Sequence, residues 1–229
     1  MKLFDSKWPI VEAAMNNASN KNLALAVSQA GGFPSLSTYP KYNVRPRNPN
    51  SPLPHKDIDF DPMFYEISDF ILSNGSANVI VPVPPEWLLH PDFLKIAKDV
   101  KISHWEIFPR WQNEQVCCSR LIMDDLIFGC IKQLKKYSKV IGRLLGPVSD
   151  NPRLEVFDGL AIKGSDSGGG RGYLTVQETF NYQIQHSKNV IPYGVVGTPQ
   201  QVRNYLDQGA PAVAVGTLFA ACKESPLTM

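Results

Sequence analysis

The chain has 229 residues, 43% of them hydrophobic, which is enough for one sizeable core, and no shift of composition divides one half from the other. Its 23 basic and 21 acidic side chains leave a formal charge of +2, too balanced for nucleic acid or an anionic membrane to be a main partner. No window approaches the roughly 20 consecutive apolar residues of a membrane span and no apolar leader opens the chain, so one soluble, cytoplasmic domain over 1–229 is expected.

Short apolar runs alternate with helical patterns from end to end, the signature of βα units and a parallel sheet. Pro9 to Met15 reads as a first buried strand. A helix follows from near Ser19, with Leu23, Ala26, Val27 and Ala30 at helical spacing and Gly31-Gly32 as its stop. Phe33 to Thr38 reads as a second strand. Residues 39–54, rich in Pro, Asn and Arg, lack periodicity and read as a long loop, a candidate active-site lid.

A helix is expected from Asp61 to Ser73 with Pro62 in its first turn, then a strand over Asn78 to Pro84 and a helix over Pro91 to Val100. Ser103 to Phe108 is a fourth strand, followed by a long helix across Cys117 to Tyr137 and a fifth strand over Lys139 to Leu145. Pro147 to Asp158 is weakly patterned and predicts only a short or irregular helix. Leu160 to Lys163 is the sixth strand. Thr175 and Glu178 have the spacing of a capping box, in which hydroxyl and carboxylate satisfy the first NH groups of a helix. Val190 to Val196 is the seventh strand. Thr198-Pro199 opens a helix with Val202, Tyr205 and Leu206 on one face and Gly209 as its stop, and Ala212 to Phe219 is the eighth strand.

Eight strands suit a parallel (β/α)8 TIM-type barrel, an α/β fold of about 250 residues. An open doubly wound sheet is the competing architecture. Only ten residues follow Phe219, so the final covering helix is expected to be short or missing. The uncovered seam between last and first strands is then a place for a second copy of the chain to bind.

The strongest chemical signal is the run from Lys163 to Gly172, where five of the nine residues from Gly164 onward are glycine, directly after a strand. Glycine lets the backbone approach a ligand and turn NH groups toward an anion. Gly194 to Gly197 follows the seventh strand and Gly216-Thr217 ends the eighth. Glycines at three consecutive strand ends, in the half of a barrel that commonly holds phosphate, predict a phosphate cradle rather than ordinary turns. The four cysteines, Cys117, Cys118, Cys130 and Cys222, form no CxxC pair and carry no zinc signal; all four read as reduced thiols.

These segments resemble the nitronate monooxygenase family, once called 2-nitropropane dioxygenases. PIVEAAM with LALAVSQAGGF is similar to that family's opening strand, helix and double glycine, and NVIVPVP to its third strand. GSDSGGGRG resembles its glycine-rich signature, and IPYGVVGTPQQV with VGTLFAACKES its closing phosphate segments. The resemblance spans nearly the whole chain and implies an FMN-dependent barrel. It implies that Ala14 and Met15 line the flavin ring, that Asn78 contacts it, and that Arg143 lies near its pyrimidine side. Gly164, Ser167, Gly168, Gly169, Gly194, Val195, Gly216 and Thr217 would surround the phosphate, with Val195 standing where a glycine is usual.

The chain departs from the family at Gly170, where a histidine is typical and is implicated as the base that removes a proton beside the nitro group. Glycine has no side chain for that task. A nitronate is already deprotonated, so the departure weighs against neutral nitroalkanes more than against nitronates. None of the four histidines replaces it. His104, with Glu106 on the same strand face, reads as a satisfied interior histidine, His55 and His90 as solvated, and His186 as a helix-end residue. Lys41, Arg45, Arg47 and Arg110 read as surface charge, and Trp105 and Trp111 as packing.

The leading expectation is an FMN-dependent oxidoreductase that oxidises nitronates or a related small anionic substrate with oxygen as acceptor. A flavin enoyl reductase, or a non-catalytic barrel that binds a flavin or another phosphorylated ligand, are the alternatives that remain open.

Overall fold

The computed structural model describes residues 2–15, 18–37, 60–108, 125–148, 151–168 and 172–228. Seven strands and seven α-helices are described: β1 Ile10–Glu12, α1 Lys21–Gln29, α2 Asp61–Asn74, β2 Ile80–Val83, α3 Pro91–Val100, β3 His104–Ile107, α4 Asp125–Leu134, β4 Lys139–Leu144, β5 Gly159–Ile162, α5 Val176–His186, β6 Val190–Pro192, α6 Pro199–Asp207, β7 Val213–Val215 and α7 Thr217–Ala220. Short 3-10 turns cover Pro85–Leu89, Pro152–Val156 and Pro226–Thr228.

Every strand pairing is parallel. Strands β2-β3-β4-β5-β6 form one sheet in chain order, and β1 pairs with β7 in a second. Single bridges join the two sheets. Phe33 bridges Val11 and Ser35 bridges Ile80 on one side, while Tyr193 bridges Ala214 on the other. The expected second strand is therefore reduced to these bridging residues. The expected eighth strand ends at Val215, because Thr217 to Ala220 turns helical directly after it.

The strands are buried on both faces, as parallel sheets require. On one face Val81, Val83, Trp105 and Ile107 pack against Met63, Ile67 and Phe70 of α2 and Phe93 of α3. Farther along the chain Ile162, Val213 and Val215 meet Val176 and Phe180 of α5 and Tyr205 of α6. On the other face Val11, Phe33, Ile80, Ile141, Ala161, Ile191 and Ala214 form a third cluster, reached from below by Leu3 and Phe4.

Local signals explain the helices. Asn20 caps α1 through its side chain, and Gly75 ends α2 in the left-handed conformation at φ 66°. Both sides of the Thr175–Glu178 capping box are formed, and Gly209 follows α6 at φ 97°. The long helix expected across Cys117 to Tyr137 is described from Asp125 to Leu134; Cys117 and Cys118 lie outside the described residues, as do the loop over 39–54, His55, Arg110 and Trp111. Cys130 and Cys222 are not in disulfides, and the Cys222 thiol donates to the Leu218 carbonyl.

His104 is a satisfied interior residue. Its Nε2 lies 3.0 Å from the Leu3 carbonyl, and its ring stacks on Phe4 at 5.1 Å with Phe33 edge-on at 4.9 Å. Burial pushes its pKa down to about 4. Glu12 of β1 is equally buried, and that burial pushes its carboxyl up to about 8, against hydrogen bonds from the Ser19 side chain and the Ser35 backbone.

These two groups shape stability in opposite directions. Between pH 4 and 6.5 the unfolded chain protonates His104 where the fold does not, so stability rises with pH. Between pH 4.5 and 8 the fold holds a proton on Glu12 that the unfolded chain has released, so stability falls with pH. From pH 6.5 to 8 Glu12 acts alone of the two, and the unfolding free energy should fall by about 2 kcal/mol. Urea unfolding across that window should show the loss in the wild type and a flat response in Glu12→Gln.

Candidate active site

A cavity of about 710 Å³ opens at the C-terminal ends of strands β1 to β7. One wall is apolar, with Ala13, Ala14 and Met15 after β1, Pro82 of β2 and Phe108 after β3. The rest of the lining is polar and rich in glycine: Lys163, Asp166, Ser167 and Gly168 after β5, Gly194 to Gly197 after β6, and Gly216 and Thr217 after β7. Arg143 of β4 lines the cavity as well.

Most of the residues proposed from sequence meet here. Ala14, Met15, Arg143, Ser167, Gly168, Gly194, Val195, Gly216 and Thr217 all line the cavity. Asn78 is not among them. It precedes β2, at the opposite end of the strand from the cavity, and its NH group donates to the Ser76 hydroxyl. Gly164 is buried behind the wall rather than in it: a Cβ there would lie 2.1 Å from the Val176 nitrogen and 2.4 Å from the Thr175 carbonyl carbon. Gly169 and Gly170 fall outside the described residues.

The glycine-rich wall spends several of its donors on itself. Ser167 Oγ accepts from the Gly164 NH at 3.0 Å and donates to the Tyr193 carbonyl at 2.8 Å, which ties the end of β5 to the end of β6. The Gly194 NH donates to the Ala214 carbonyl, and the NH groups of Gly197 and Thr198 donate to the Gln201 side chain. Ser167 and Gly194 therefore build the cradle's frame. Gly194 is also required sterically: it adopts φ 101°, and a Cβ would lie 3.1 Å from Ser167 Oγ. Val195 holds a positive φ of 57°, at a cost of about 1–2 kcal/mol for an L-residue, and projects half-exposed at the rim.

The electrostatic centre joins Arg143 to Glu106 and Tyr193, a grouping the sequence reading did not make. Arg143 Nε donates to Glu106 Oε1 at 2.6 Å, and the Tyr193 hydroxyl donates to Glu106 Oε2 at 3.2 Å. Glu106 has no exposed surface, whereas Arg143 and Tyr193 both reach the cavity. The guanidinium lies between the rings of Phe108 and Tyr193, with centroids 5.3 and 5.5 Å away. Burial, followed by the Glu106 charge, pushes the Tyr193 hydroxyl well above the ordinary tyrosine range, so it stays protonated.

Lys163 completes the wall. Its Nζ donates to the Gly168 carbonyl, and burial together with the neighbouring Arg143 lowers its pKa to about 8. A signal for these residues was present in period two. Glu106 follows His104, Lys163 follows Ala161 and Tyr193 follows Ile191 on the inner face of their strands, so each must point to the same interior as its apolar neighbour.

Three solved structures share this arrangement of elements. A mutant of FabK from Thermotoga maritima matches with a TM-score of 0.68 at 22% identity, over 98% of this chain and 65% of that one. Nitroalkane oxidase from Streptomyces ansochromogenes matches with a TM-score of 0.68 at 17% identity, over 96% of this chain and 68% of that one. The unmutated FabK matches with a TM-score of 0.67 at 22% identity, over 97% of this chain and 62% of that one. The chain has their fold. It spans 65% of the length of the FabK mutant, so about a third of that protein has no counterpart here. No protein-family model matches the sequence, and no curated protein is significantly similar to it. Among the described residues no helix is long and apolar enough to cross a membrane, and no group of three metal-ligating side chains occurs.

Proposed function

We propose that this chain is an FMN-dependent oxidoreductase of the nitronate monooxygenase type, acting on a nitronate or a related small anion with oxygen as acceptor. The observation that carries the reading is the two-walled cavity. Its apolar side suits a planar ring, and its glycine-framed side with two cations suits a phosphate and an anionic substrate. We read the single bridges at Phe33, Ser35 and Tyr193 as completing a closed eight-stranded barrel around it.

The residues present fit such a cofactor. The space is within the range of cofactor sites, and no Cβ projects from Gly168, Gly194 or Gly216 into it. The cavity-facing backbone of Val195, Val196, Gly216 and Thr217 would meet the phosphate, while Ala14, Met15 and Pro82 would lie along the ring. When bound, FMN would supply electron acceptance from the substrate. The protein's own part is to hold and orient. Arg143, fixed by Glu106 and clamped by two aromatic rings, offers a positive charge that loses little freedom on meeting an anion.

A visible spectrum of the purified protein with added FMN tests the reading, a bound-flavin spectrum being expected. Gly168→Asp sharpens the test, since its Cβ meets nothing within 4 Å and the substitution adds only charge. It should weaken FMN binding by about tenfold or more, through repulsion worth about 1.4 kcal/mol or more. Unchanged affinity would remove the phosphate from this wall. A flavin enoyl reductase would use the same cavity, and likeness to both FabK and nitroalkane oxidase does not favour either activity. Consumption of NAD(P)H with an enoyl thioester, against oxygen uptake with a nitronate, separates the two.

A further inference from the structure

The cavity is lined by four ionisable side chains among the described residues: Arg143, Lys163, Asp166 and Tyr193. Three are poorly placed to exchange a proton with a ligand. Arg143 keeps its proton at any working pH and is paired with Glu106. Tyr193 is held protonated by burial and donates to the same carboxylate. Asp166 Oδ1 accepts from the Val176 NH at 2.9 Å and so helps to start α5.

Lys163 is placed differently. It lines the cavity just past the end of β5, two residues beyond the Ala161 that pairs with Arg143 of β4, with Tyr193 in the equivalent place just past β6. The Gly168 carbonyl accepts one of its N–H bonds. A neutral amine tethered in that way keeps a second N–H and a lone pair for the cavity.

We propose that Lys163 is the proton-transferring residue of this cavity, removing a proton from a carbon acid whose acidifying group is held by Arg143. The proposal deepens the oxidoreductase reading and rests on it for the nitronate that is oxidised. It extends the substrate class to small nitroalkanes, for which Lys163 would replace the base missing at Gly170. In the step, the substrate C–H bond breaks and a new N–H bond forms on Lys163. The electron pair stays on the substrate, delocalised into the nitro group as a nitronate, and nothing is oxidised or reduced.

The charges facing Lys163 support the assignment. Arg143 on β4 disfavours its protonated form, Glu106 on β3 favours it, Asp166 lies on the loop after β5, and Glu12 on β1 acts on neighbouring Tyr193. Burial dominates and brings the ammonium to a pKa of about 8, so a working fraction of free amine exists near neutrality.

The test is exchange of the C1 protons of nitroethane for deuterium, followed by proton NMR in D2O without oxygen. It uses the full chain with added FMN, from about pH 6 to about pH 10, with the buffer background subtracted. The wild type should exchange with an inflection near pH 8. Lys163→Met should lose about a hundredfold, and so should Lys163→Arg, which keeps the charge and lacks the free amine. Exchange in Lys163→Arg within about twofold of the wild type, or no wild-type exchange above background, overturns the proposal.

A second measurement needs no variant. Competitive acylation of the wild-type protein should show Lys163 titrating near 8, and titration at the ordinary 10.5 overturns the assignment. Oxygen uptake with preformed ethyl nitronate needs no proton removal and reports on the oxidoreductase reading alone. Uptake without exchange sinks Lys163 only, while exchange without flavin binding or uptake sinks the oxidoreductase reading only.

Discussion

Glu106→Leu should lower the unfolding free energy by about 3–5 kcal/mol, because it removes the carboxylate 2.6 Å from the largely buried Arg143 guanidinium. The loss is larger than the bond alone is worth. Arg143 is 13% exposed, its desolvation is offset by a carboxylate 2.6 Å away, and Tyr193 loses its acceptor in the same substitution. Adding Arg143→Leu should recover most of the stability, since two apolar side chains of similar size can replace a buried pair at little cost. Urea unfolding of the two single variants and the double gives the coupling directly. Additive losses would mean that the pair contributes nothing as a pair. The double variant should still fold but bind anions poorly, which separates the cluster's structural role from its proposed electrostatic one.

Gly164→Ala should destabilise by about 1–3 kcal/mol and distort the glycine-rich wall, although Gly164 does not line the cavity. The added methyl would overlap the backbone at Thr175 and Val176, where the capping box starts α5 and where Asp166 accepts from the Val176 NH. The two nearest atoms belong to one backbone peptide, which cannot swing aside as the end of a side chain could. Gly168→Ala, four residues on, meets nothing within 4 Å and should stay within about 0.5 kcal/mol of the wild type. Thermal unfolding of the pair of variants decides the matter. Equal effects would show that the run tolerates bulk uniformly and is only a flexible loop.

That contrast also marks where sequence reasoning stops. A glycine cluster after a strand announces a close backbone approach, but it does not say what approaches. At Gly164 the neighbour is the chain's own helix start; at Gly168 it is open cavity. The capping box at Thr175 and Glu178 was legible because both partners lie within one turn of helix. Arg143 and the wall around Ser167, Gly194 and Gly216 followed from glycines at successive strand ends together with the family resemblance. Asn78 came from the resemblance alone, and it lies at the N-terminal end of its strand, whereas the cavity takes residue 82 from the other end. Glu106 was read on the inner strand face beside His104, but its partners Arg143 and Tyr193 come from other strands and could not be read from spacing. Inner-face alternation with Ala161 and Ile191 pointed Lys163 and Tyr193 inward too.

The pairing of β1 with β7 carries a kinetic consequence. Strands β2 to β6 each lie beside their neighbour in sequence, so that sheet can assemble by successive local crossovers. The Val11–Ala214 contact instead closes a loop of most of the chain, and single bridges at Phe33, Ser35 and Tyr193 are what join its sheet to the rest. Folding should therefore finish at β1–β7, and native-state opening should begin there. Hydrogen exchange would show the amides of Glu12 and Val213 less protected than those of Trp105 and Ile141. Met15 of the apolar lining and Gly216 of the glycine-rich lining meet along this weakest seam, so the cavity would be last to form and first to come apart.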